Sequence, residues 1–155
     1  MGSYPTRVMF ADLTGAAVGS HASGDAVGTR LSWNILRETG SRGGVLTSVI
    51  IGLDSTETPA LSLHLFGGAF VAATDDAAAG YVTADMEDYS LGHVAIASGD
   101  WSANANNGEA TVGGLAIALA CHQERNQAGI IYGQLVARGA FTPTNMWIKI
   151  GVLVD

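Results

Sequence analysis

The chain predicts an all-β fold, a single-domain, jelly-roll-like β-sandwich of about eight strands, and three observations predict it. From Gly28 onward Gly, Asn and Pro cut the sequence into short aliphatic and β-branched runs. One of them, Leu61 to Phe66, alternates strictly in polarity, and the last, Met146 to Val154, carries apolar residues on both faces for part of its length. At 155 residues and 15.9 kDa the chain suits one domain with room for a sizeable core. The expected division is an extended N-terminal arm, 1–26, followed by the sandwich, 27–155.

The arm is expected because the short apolar patch Val8-Met9-Phe10 stands in a Gly, Ala and Ser background that continues through Ser20. Such a segment buries little surface by itself, so it should stay mobile or order against a neighbouring subunit. The first strand is expected over Thr29 to Arg37, with Leu31, Trp33 and Ile35 on one face and Ser32, Asn34 and Leu36 on the other. A loop of Gly, Ser and Arg42 leads to a β-branched run, Val45 to Leu53, which Asp54 to Pro59 breaks. In the next run Leu61, Leu63 and Leu65 should point inward and Ser62 and His64 outward to solvent.

Beyond Gly67-Gly68 the pattern is less regular, with a short strand expected at Phe70 to Ala73 and a helical turn at Ala84 to Tyr89, capped by Thr83. Strand character resumes at Gly92 to Ala97, and a long polar loop, Asn104 to Gly108, follows Trp101. Three strands close the chain: Leu115 to Cys121, Ile130 to Ala137 and Met146 to Val154. The first of these is rich in helix-forming Ala and Leu, yet its shortness, flanking glycines and lack of a polar helical face favour a buried strand.

Composition narrows the function. Hydrophobic residues reach 48% against 14% charged, so some apolar surface is expected to meet another protein. A formal charge of -7 and a pI near 4.8 disfavour nucleic acid and anionic membrane as partners. No run approaches the length of a membrane helix, and Met1 to Pro5 lacks the charged start of a secretory signal. Arg7, Arg30, Arg37, Arg42, Arg125 and Arg138 stand against the single Lys149, a skew that suits interface contacts and equally a GC-rich genome. Cys121 is the single cysteine and reads as a buried small hydrophobe in a chain suited to a reducing cytoplasm.

Catalytic patterns are weak. His21, His64, His93 and His122 are scattered and form no metal-binding pair, so no metal and no cofactor is expected. Ser20, His21, Ser23 and Asp25 offer the residue types of a hydrolase triad, but neighbours in a glycine-rich arm lack fixed geometry. The acids Asp75, Asp76, Asp85, Glu87 and Asp88, and the group Asp100, Asn104, Asn106 and Glu109, lack the spacing of a calcium loop and read as solvated faces. An enzyme is therefore not expected. A carbohydrate-binding module is the alternative, its glycan site formed by Trp101 with Asn104, Asn106 and Asn107; against it, Trp33, Trp101 and Trp147 are expected in the core or a seam, Trp33 and Trp147 lying inside strands.

The order of segments carries a resemblance. Ser23 to Gly28 leads into the first strand, Gly44 to Leu53 and Leu63-His64-Leu65-Phe66 follow, and later come Asp100-Trp101, Ile131 to Gly139 and the closing Ile150 to Asp155. Together these are similar to the small head decoration, or cement, proteins of tailed bacteriophages. The resemblance implies a virion protein, made in the host bacterial cytoplasm, that binds the outer capsid surface at capsomer junctions and reinforces the shell. Its implied partners are the major capsid protein and a second copy of itself, a homodimer ahead of a homotrimer. No functional residues carry over, so the expected contact positions come from the arm, whose apolar residues have no evident intrachain partner, and from the arginine-bearing loop: Tyr4, Arg7, Val8, Met9, Phe10 and Arg42.

Overall fold

The computed structural model describes residues 6–12, 19–123, 128–142 and 145–154. Two antiparallel sheets face each other, which makes the chain an all-β sandwich, with ten strands among the described residues where about eight were expected. The larger sheet runs β1 (Thr6–Asp12), β10 (Met146–Leu153), β3 (Gly43–Leu53), β7 (Gly108–Val112), β6 (Trp101–Ala103). β8 (Ile117–Ala120) also joins β3, pairing with its first half while β7 pairs with its second. The smaller sheet runs β2 (Ala26–Asn34), β9 (Ile130–Ala137), β4 (Leu61–Phe66), β5 (Ser90–Ile96).

The core lies between the sheets and follows the side-chain period of two. Leu61, Leu63 and Leu65 face inward as their alternation predicts, opposite Ala137, Leu135 and Gly133 of β9. Across from them lie Val49, Ile51 and Leu53 of β3 and Met146, Ile148 and Ile150 of β10, all buried. Cys121 is buried and packs in this core, and the segment before it is a strand, as expected over a helix. On β10 the core face takes Met146, Ile148, Ile150 and Val152, while Trp147 lies half-buried on the other face, flanked by β1 and β3.

Several boundaries differ from the sequence reading. The first strand ends at Asn34 rather than Arg37 because the Asn34 side chain accepts a hydrogen bond from the Arg37 N–H at 2.9 Å and starts a short helix, α1 (Ile35–Thr39). Gly40, at φ 74, closes that helix with its N–H on Leu36 O, a left-handed position that favours glycine. Residues 70–73 form no strand. α2 (Thr83–Tyr89) is present, but Val82 occupies the cap position and Thr83 is the first helical residue, so no side chain caps it.

The N-terminal segment differs most. Residues 6–12, expected in a separate arm, pair with β10 of the same chain along seven successive positions, from Thr6 opposite Leu153 to Asp12 opposite Trp147. Residues 21 and 25 form isolated bridges to Phe141 and Ala78, so the described part of 1–26 belongs to the sandwich. Alternation explains the placement: Met9 reaches the core while Val8 and Phe10 face out.

Candidate functional site

The two sheets differ in what lies on their outer faces. Over the smaller sheet the excursion from Gly67 to Tyr89 folds back as a third layer. Gln134, on the outer face of β9 and fully buried, holds it down: its Oε1 accepts from the Ala73 N–H at 3.1 Å, and its Nε2 donates to Ala73 O at 2.7 Å and to Gly28 O at 3.4 Å. Arg30 Nη1 donates to Phe70 O while its guanidinium lies over the Tyr132 ring. Phe66 stacks on Phe70 with ring centroids 3.8 Å apart, and Tyr81 meets both edge-on. The Tyr81 hydroxyl is buried without a hydrogen-bond partner among the described residues, and burial pushes its pKa up to about 12.

This cover changes the environment of residues expected to be wet. Ser62 is buried and accepts from Arg138 Nε at 2.8 Å. His64 is half-buried, stacked on its cross-strand partner His93 and tilted against Tyr81. Burial first, then the neighbouring His93 and Arg138 charges, hold the His64 pKa below 6.5.

A second polar anchor ties the 19–25 segment to the same excursion. His21, 1% exposed, meets Asp75 with its Nε2 2.8 Å from Oδ1, and that carboxylate oxygen also accepts from the Gly28 N–H. The hydrolase constellation is thereby dispersed: His21 is spent on Asp75, Ser20 bonds Thr142, and Asp25 accepts from the Ala22 N–H. Asp85 likewise turns inward, accepting from the Val71 N–H at 2.7 Å. Among the described residues no group of three His, Cys, Asp or Glu side chains is placed to hold a metal, and no helix is long and apolar enough to cross a membrane. Burial raises the Cys121 pKa, opposed in part by Arg42, which leaves the thiol protonated and unreactive at neutral pH.

Among the described residues the outer face of the larger sheet carries no such layer. Cross-strand pairing puts Phe10, Lys149, Ile50 and Thr111 in one row, and Trp147, Gly52, Glu109 and Ser102 in the next. At the β1 margin Val8 is 65% and Phe10 57% exposed. Between β1 and β2 runs a cleft of about 310 Å³, bordered by Val8, Phe10, Asn34 and Glu38 and floored by Met9 and Trp33. Trp33 is in the core as expected, and its Nε1 is buried without a hydrogen-bond partner among the described residues.

Toward the opposite margin lies a larger depression of about 410 Å³ around Trp147, lined by Asp54, Asn104, Asn107, Glu109 and Asn145. Trp147 is not in the core: it is half-buried on the outer face, its indole lying across Gly52, where a Cβ would overlap the ring. Lys149 Nζ sits over that ring, 4.8 Å from its centroid. Asn104 Oδ1 accepts from the N–H groups of both Asn106 and Asn107 at 2.9 Å, which folds the 104–107 turn into a fixed wall.

The expected contact residues therefore separate. Tyr4 lies outside the described residues. Arg7, Val8 and Phe10 are exposed on β1, Met9 is taken into the core, and Arg42 is exposed ahead of β3, where its carbonyl accepts from the Cys121 N–H. Of the expected glycan residues, Asn104 and Asn107 line the depression. Trp101 is half-buried with its Nε1 donating to Pro59 O at 2.8 Å, and Asn106 belongs to the turn. Trp147, Asp54 and Asn145 were not expected at such a site. Parity along β10 is the signal that could have found Trp147, since it alternates with Met146 and Ile148, whereas its glycine partner on β3 needs the register. No protein-family model matches the chain, and a search of curated proteins finds no match.

Proposed function

We propose that the chain is a structural, non-enzymatic protein that docks on a larger protein assembly through β1 and the uncovered face beside it. The observation that carries this reading is the edge strand itself. β1 is the margin of the larger sheet, and on it Val8 and Phe10 hold most of their side-chain surface in water. An apolar edge strand with one unpaired rim is a template for another chain, and natural sheets usually blunt such edges with charge, proline or a cover. Here the rim also borders a cleft between β1 and β2, floored by Met9 and Trp33, along which an added extended segment could lie.

The sequence resemblance supplies the assembly: the outer surface of a tailed-phage head, with the major capsid protein at capsomer junctions as the partner and a second copy of the chain as its neighbour. A compact sandwich fits this work, because a shell repeats one contact many times and modest interfaces become collectively strong. Co-sedimentation with matching expanded capsids tests the reading. Val8→Ser with Phe10→Ser should abolish binding and the heat resistance that the protein confers on the shell. Undiminished binding by that variant would remove β1 from the interface, and failure of the unaltered protein to bind any expanded capsid would end the decoration reading.

A further inference from the structure

We propose that the depression around Trp147 is a binding site for a neutral oligosaccharide, distinct from the β1 margin and independent of any docking there. Its chemistry is mixed in a way that suits sugars. One indole supplies a flat apolar surface for the C–H face of a pyranose, and the Glu109 carboxylate and Asn104 and Asn107 amides around it can bond hydroxyls, while Asp54 already accepts from Asn145 Nδ2 at 3.3 Å. The side chain is held for that role: cross-strand pairing sets Trp147 opposite Gly52, and only a residue without a Cβ lets the indole lie down across β3. The wall is also set in advance, because Asn104 uses its Oδ1 on two backbone N–H groups of its own turn, leaving its amide nitrogen and the neighbouring Asn107 side chain for a ligand.

Other ligand classes fit less well. Asp54 and Glu109 make the rim acidic, which repels phosphate, sulfate and nucleic acid. The polar lining offers too little apolar surface for a lipid chain, and about 410 Å³ lies toward the small end of the ~300–1,000 Å³ usual for ligand sites. Lys149 over the ring is no barrier, since a cation–π contact at an exposed site is weak and the amine can move aside to donate to a hydroxyl.

The test is nuclear magnetic resonance of the free protein, in which Trp33, Trp101 and Trp147 give separate indole N–H signals. Neutral homotetrasaccharides of glucose, galactose, mannose and N-acetylglucosamine are each titrated to about 10 mM, enough to fill even a millimolar site. A saturable shift of the Trp147 signal with one of these sugars, and none at Trp33, is expected. Trp147→Ala should weaken that binding about tenfold or more, and Asn107→Ala, on an exposed turn where folding is not at stake, about threefold. No saturable shift with any of the four sugars overturns the proposal, as does undiminished binding by both variants. Binding of heparin alone overturns it too, since that would mark an ionic surface.

Discussion

Phe66 and Phe10 are both aromatic residues on outward faces of sheets in the same sandwich, and their surroundings are opposite. Phe66 is fully buried under the 67–89 excursion, stacked on Phe70, whereas Phe10 is more than half exposed on β1. The smaller sheet thus spends both faces on the fold, one on the core and one on a third layer clamped by Gln134 and Arg30. The larger sheet spends one. On the second face the described residues leave Val8 and Phe10 more than half exposed and Ile50 and Trp147 half-buried, which supports the proposal that this face meets a partner.

Removing the covered aromatic should have the largest effect. Phe66→Ala takes away a buried ring that touches Phe70 and Tyr81 and loosens the third layer, so a destabilisation of about 3–5 kcal/mol is expected. Urea unfolding measures it as a lower midpoint with an unchanged slope. A loss below about 1 kcal/mol, the range of an exposed site, would mean that the excursion contributes little to the sandwich and would erase the contrast between the faces.

The second effect depends on pH and again belongs to the covered face. Burial, His93 and Arg138 keep the folded His64 pKa below the ordinary 6.5. Above that value both folded and unfolded chains hold His64 neutral. As the pH falls below 6.5 the unfolded chain takes up a proton that the folded one refuses, so stability declines with acidification until the folded pKa is passed. His64→Gln should flatten this part of the stability profile, below about pH 6.5. An unchanged slope in that variant would assign the acid sensitivity to other groups.

The contrast between the faces was only partly legible in the sequence. Period-two alternation found the inward rows of β2 and β4, because one wet or one buried face leaves a clear signature in neighbouring residues. It misread Ser62 and His64 as solvated, since the group that covers them starts beyond Gly67 and binds through Gln134, whose partners lie 61 residues and more away in the chain. β1 was taken for an arm because seven residues in a small-residue background show no pattern of their own, and its pairing with β10 joins the two ends of the chain. The depression around Trp147 likewise depends on registers between β10, β3 and β7, which local spacing does not encode.

The smallest effect on folding should come from the uncovered margin, and its smallness is the point. Val8 and Phe10 already hold more than half of their surface in water, so replacing both by Ser removes little buried area and leaves the ladder between β1 and β10 intact. Each change should shift stability by about 0.5 kcal/mol or less, with the lower strand propensity of Ser as its main cost. The measurement is the same urea midpoint used for Phe66→Ala, and the two variants read together separate the faces by a factor of several in free energy. If the Val8 and Phe10 variant instead loses about 2 kcal/mol or more, the pair is packed within the folded chain in solution, and β1 becomes a structural strand whose apolar side chains are not offered to a partner.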